Sequence, residues 1–203
     1  MPLLIRDDRV FFGIELPLAG FTELFSAHMT ALPRTPEIED MGQRLIDADF
    51  PEPAVRNFVK DVCGWGNYAG ISGRVLKRNG TGAISAALKN AVGDLAQDPP
   101  RLAAALARVN SLSGLGEPSF ASKHLRFLRP ELCPVFDSQL REALPYSFDQ
   151  EGYALFAVDC RELAVALKQA GVRNPRNRQD GVWFVADVEA ALYAHVTDLA
   201  NEG

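Results

Sequence analysis

The stretch Leu112–Asp137 reads L-S-G-L-G-E-P-S-F-A-S-K-H-L-R-F-L-R-P-E-L-C-P-V-F-D, and its reading decides what kind of body the chain builds. Two glycines, Gly114 and Gly116, bracket Leu115. A helical run over 120–128 follows with Lys123 inside it, and a short extended piece then ends at Asp137. Glycine admits positive φ and lets two backbones come close. The link L-S-G-L-G-E-P therefore joins a helix over 102–109 to the next one, with Leu115 placed to plug the groove between them. Successive N–H groups feeding a helix N-terminus also form a seat suited to a phosphate. An ordinary tight helix–helix turn is the plainer reading of the same spacing.

Working outward, the pattern stays helical. Met41, Leu45, Ile46 and Ala48 recur at helical spacing. So do Val55, Phe58, Val59 and Val62 behind Pro51 and Pro53, in a helix that stops near Gly64. Thr81 suits the cap of a helix that buries Ile84, Leu88, Ala91, Val92 and Leu95. Leu102, Ala105, Leu106 and Val109 give the next stripe. Asp137 opens a short helix over S-Q-L-R-E-A-L. Residues 151–170 read as a long helix with Leu155, Cys160, Leu163, Leu167 and Ala170 inward, ended by Gly171, and a terminal helix runs on from Asp187. Near the start, V-F-F-G-I-E-L is either a short strand or an apolar arm, and F-T-E-L-F-S-A-H-M gives a helical turn or two. The run V-W-F-V is too short to need a sheet. The glycine-rich segment after Cys63 reads as a loop in which Trp65 and Tyr68 either pack inward or line a base-sized pocket. The loop carrying Arg173, Arg176 and Arg178 is either solvated or a phosphate contact. The expectation is a mainly α fold of seven or eight helices, one domain over 1–203 in one body or two lobes. Residues 1–34 form an arm or lid, and 101–145 the functional segment.

Composition sets bounds. No apolar run approaches the roughly 18 residues of a membrane span, so no membrane association is expected. The opening M-P-L-L-I-R-D-D-R-V lacks the pattern of a secretory leader, which makes a cytoplasmic location the expectation. Cys63, Cys133 and Cys160 are scattered and odd in number, and His28, His124 and His195 lack metal-ligand spacing, so no metal and no cofactor is expected. A net charge of −5 argues against bulk attachment to phosphates, though not against a local basic face of Lys123, Arg126 and Arg129.

The residues L-S-G-L-G resemble the L-P-G-V-G core of the helix–hairpin–helix element. P-V-F-D-S-Q-L is similar to the P-V-D-x-[HR]-V piece of helix–hairpin–helix DNA glycosylases, with one extra residue before the acid. Asp137 follows Gly116 by 21 residues, a spacing similar to that of the oxoguanine-type members. Trp65–Gly66 and D-V-E-A-A-L resemble the bacterial oxoguanine-DNA-glycosylase-fold branch. The main resemblance covers about 30 residues. It implies a glycosylase-like helical bundle and a DNA glycosylase, with or without AP-lyase activity, that excises a damaged or modified base flipped from double-stranded DNA. It further implies Leu112, Gly114, Gly116, Ser119 and Arg126 on the DNA, and Trp65 and Tyr68 about the base. The family's lyase lysine stands two residues after the second glycine, where this chain has Pro118, and Phe120 replaces a small residue. Lys123 is then either a relocated nucleophile or a DNA-facing or surface lysine. The alternative function is a non-catalytic DNA-binding or protein-interaction protein that keeps the fold.

The chemistry sets its own requirements. Breaking the bond from sugar C1′ to the base puts positive charge on the sugar, which a carboxylate such as Asp137 stabilises, or from which it positions water. The same Asp137 is well placed to cap the helix after it. An attacking lysine must be neutral, although the free side chain titrates at about 10.4, so Lys123 needs a dry or cationic setting.

Overall fold

The computed structural model describes residues 10–11, 14–15, 20–115, 118–176 and 178–201. Val10–Phe11 (β1) and Ile14–Glu15 (β2) pair antiparallel, with Val10 opposite Glu15. Ten α-helices are described: α1 (Phe21–Ala31), α2 (Thr35–Asp47), α3 (Glu52–Trp65), α4 (Ala69–Arg78), α5 (Thr81–Leu95), α6 (Leu102–Asn110), α7 (Pro118–Leu128), α8 (Ser138–Ala143), α9 (Gln150–Gln169) and α10 (Val185–Asn201). The protein is mainly helical, and none of the described helices is long and apolar enough to cross a membrane.

Two helices occupy the middle. In α7 every residue from Ala121 to Leu128 is buried, and in α10 every residue from Val185 to Leu192 is buried. A helix apolar on one stripe covers a core, whereas one enclosed all round sits inside it. Around this pair α2 and α3 pack on α7, α5 packs on α6, and α6 bridges α7 and α9. The helices α1, α8 and α9 pack on α10. Most of the buried apolar side chains among the described residues form one contiguous cluster.

Close approach of α2 to α7 depends on Gly42, where a Cβ would overlap the backbone carbonyl of Phe127. Backbone cannot swing aside as a side chain can, so Gly42→Ala is expected to cost about 1–3 kcal/mol or more. Denaturant melts of the two proteins measure this, and unchanged stability would show that the crossing is looser than described.

Several sequence expectations need correction. The helices number ten, because the glycine-rich segment is helical: α4 carries Gly70 and Gly73, and buries Ile71 and Val75. Mid-helix glycine costs roughly 1 kcal/mol, and packing of those two side chains outweighs it. The segment Phe21–Ala31 is a helix of the body, with the Phe21 and Phe25 rings edge-on to Trp183 at 5.2 and 5.5 Å. Gly80, not Thr81, is the N-cap of α5 and gives no side-chain bond. The inward stripe of α9 is Tyr153, Phe156, Cys160, Leu163 and Leu167, so Leu155 (47% exposed) and Ala170 face out. By contrast Gly171 does end α9 with positive φ, and Asp137 does cap α8.

Candidate active site

The two enclosed helices carry charge into the interior. α7 buries Lys123, His124 and Arg126, and α10 buries Asp187 and Glu189. Such groups persist inside only when paired or neutralised. One set is paired. Glu39 of α2 accepts from Arg126 Nη1 and lies 2.7 Å from Arg176 Nη1 and 3.0 Å from Arg178 Nη1, while Arg178 Nη2 also reaches Asp187 at 2.8 Å. Burial works against the Glu39 carboxylate, yet Arg126, Arg176 and Arg178 together hold its pKa below the ordinary value. This cluster ties α2, α7 and α10 to the loop 173–178.

The second set surrounds a cavity of about 110 Å³. Its walls include His28, Leu32, Trp65, Gly66, Lys123, Asp137, Glu189 and Tyr193, together with the exposed Asn67. Lys123 Nζ stands 3.6 Å from Asp137 Oδ2 and donates to Ser119 Oγ at 2.9 Å. Burial lowers the Lys123 pKa, and Asp137, then Glu189 in its ionised form, oppose that shift. Asp137 uses its other oxygen, Oδ1, to accept from the amides of Gln139 and Leu140 at 3.2 and 3.3 Å. Helix capping and facing the lysine are thus two roles of one carboxylate. The extended segment that delivers it is fixed on both sides: Phe136 N donates to Ser122 Oγ on α7, and Val135 N to Glu189 Oε2 on α10. Gly66 has its own reason, since a Cβ there would press on Lys123 Cδ at 3.0 Å. The absent side chain makes room for the lysine stem.

The other sequence candidates divide. Trp65 lines the cavity, donates to Thr35 Oγ1 at 2.9 Å and meets Phe127 edge-on at 4.9 Å. Tyr68 is outside the cavity lining, 67% exposed and beside the Phe120 ring. Arg126 needs correction: it is fully buried, bonded to Glu39 and set against the Trp65 and Phe127 rings, out of reach of any phosphate. The expected positive face fails with it, because Lys123 points into the cavity and Arg129 pairs with Glu131. Arg176 and Arg178 serve the internal cluster rather than a solvated loop. Gly114 takes positive φ of 86° and Leu115 is buried as a plug. Leu112 is buried too, and Gly116 lies outside the described residues. Arg74 Nε donates to the Gly114 carbonyl, while Asn79 accepts from Ser113 N and donates to its carbonyl. The Ser113 amide is therefore already occupied. Ser119 holds the lysine, and also borders an open groove of about 470 Å³ with Arg74, Leu115, Phe120, Arg141 and Phe148.

Glu189, His28 and Tyr193 were not among the sequence candidates. The available signal was D-V-E set within V-A-D-V-E-A-A-L-Y-A, acids in an otherwise apolar helix. Burial, then repulsion by Asp137, pushes the Glu189 pKa up to about 8. Burial, then Arg126, pushes His28 down to about 4, and its Nδ1 has no hydrogen-bond partner among the described residues. At neutral pH the cavity thus holds a neutral imidazole and a protonated carboxyl beside a lysine that loses its proton more readily than usual. No protein-family model matches the chain, and comparison with curated proteins and with solved structures finds no match.

Proposed function

We propose that the protein is a DNA N-glycosylase with AP-lyase capability, acting on a damaged or modified base flipped out of double-stranded DNA. The observation that supports it is the meeting of Lys123, on the helix that follows the Gly114 bend, with Asp137, the cap of α8, in one cavity. In the proposed reaction the neutral Lys123 amine attacks C1′ of the deoxyribose and the base departs. Asp137 stabilises the positive charge that grows on the sugar. The resulting imine to the opened sugar allows elimination of the 3′ phosphate. Ordinary ligand sites measure about 300–1,000 Å³, so a base enters this cavity of about 110 Å³ only with movement of its lining. That small volume favours the second reading, a non-catalytic DNA-binding protein that keeps the fold.

Oligonucleotide duplexes bearing modified bases, or a preformed abasic site with borohydride, separate the readings. Base release together with a covalent adduct is expected. Release without any adduct indicates water attack directed by Asp137. DNA binding at low salt with neither event selects the non-catalytic protein.

A further inference from the structure

We infer that Glu189 is the general acid that protonates the departing base, and that the substrates are therefore nucleosides whose base is neutral and leaves poorly as an anion. The inference rests on the glycosylase reading and adds a residue and a substrate class to it. Glu189 projects from the enclosed helix α10 into the cavity that holds Lys123 and Asp137, and is 2% exposed. Oε2 accepts from the Val135 amide at 3.3 Å, which fixes the carboxyl in place. A carboxylate intended to neutralise the lysine would need to be ionised, and Asp137 already fills that role at 3.6 Å. The groups around Glu189 are Lys123 and Arg126 on α7, Asp137 before α8, Tyr153 and Cys160 on α9, Tyr193 on its own helix and His28 on α1. Burial outweighs the two cations among them, so the carboxyl keeps its proton up to about pH 8.

The Lys123 nitrogen lone pair forms the bond to C1′ as the C1′–N bond to the base breaks, and its electron pair goes to the base. The Glu189 proton moves to the base, which leaves neutral, and Glu189 becomes a carboxylate. The newly alkylated Lys123 nitrogen then gives a proton to the ring oxygen O4′ as its freed lone pair forms the C1′=N bond and the C1′–O4′ bond breaks with its electron pair on O4′, which leaves the opened sugar as a protonated imine.

Glu189→Gln keeps the volume and removes the transferable proton. On duplexes carrying uracil, hypoxanthine or 8-oxoguanine, release of whichever base the wild-type protein removes best is expected to fall about 100-fold or more. Borohydride trapping on a preformed abasic site needs no base protonation and is expected to stay within about threefold. Release of 7-methylguanine, a cationic base that departs neutral unaided, is expected to hold as well. Wild-type release of the neutral base should decline above about pH 8, and Glu189→Asp should recover part of the rate. Undiminished release in Glu189→Gln overturns the inference while leaving the glycosylase reading intact. Equal loss of trapping and release shows a merely structural side chain and also overturns it. Wild-type protein that neither traps nor releases brings down both.

Discussion

Lys123→Met is expected to abolish covalent capture of abasic DNA, cut base release by roughly 10³-fold or more, and leave the protein at least as stable as before. The two halves of that expectation come from the same fact. Burial lowers the Lys123 pKa below its unfolded value. A lysine whose folded pKa is depressed binds fewer protons in the folded state than in the unfolded chain, between the lowered value and about 10.4. Stability then rises with pH through that window, and at neutral pH the buried ammonium is a cost. Replacing a whole buried ion pair by apolar side chains is commonly neutral or favourable by about 1–4 kcal/mol, and removing one partner is costly where it leaves the other charge buried and uncompensated. Asp137 loses a partner but keeps the Gln139 and Leu140 amides and some solvent contact. A lysine kept for structure would behave oppositely, its loss lowering the melting temperature. Thermal melts and borohydride trapping on the same samples distinguish the two cases.

Glu39→Gln is expected to destabilise the fold by about 3–5 kcal/mol, a fall in melting temperature of roughly 10 °C or more at this size. The amide fills the same space and cannot balance Arg126, Arg176 and Arg178; among the described residues Asp187 then remains for Arg176 and Arg178, and Arg126 loses its ion pair. The pH dependence carries a sign. Because the folded pKa of Glu39 lies below its unfolded one, its contribution is present above the unfolded value of about 4.3 and is lost as pH falls through the folded value. The gap between wild type and Glu39→Gln should therefore narrow on acidification. A gap that stays constant or grows would mean that charge is not what the cluster needs. The consequences extend into the cavity, since Arg126 also depresses His28 and opposes the rise of Glu189.

Helix content was readable wherever apolar spacing was regular, as in α3, α5 and α6, and wherever a cap announced a start, as Asp137 does for α8. The convergence of Lys123 and Asp137 was also readable, because a helix, a short extended piece and a capping acid leave few ways to place the two groups. What the sequence hid was enclosure. Lys123 and Arg126 look like the wet face of an amphipathic helix, yet all sides of α7 are covered. Only elements distant in the chain, Glu39 on α2 and the 173–178 loop, make Arg126 tolerable inside. Glu189 is enclosed in the same way, and its one local signal is an acid set in an otherwise apolar run. Glycines misled in the opposite sense: α4 reads as a loop until Ile71 and Val75 find their packing partners.

The proposed reaction requires a covalent bond between the Lys123 amine and deoxyribose. Wild-type protein is trapped with borohydride on a duplex containing one abasic site, then digested and sequenced by mass spectrometry. A sugar remnant is expected on Lys123, within the peptide that contains Ser122 and His124, and on no other lysine. An adduct confined to a surface lysine such as Lys77 or Lys89, or the absence of any adduct, would contradict it.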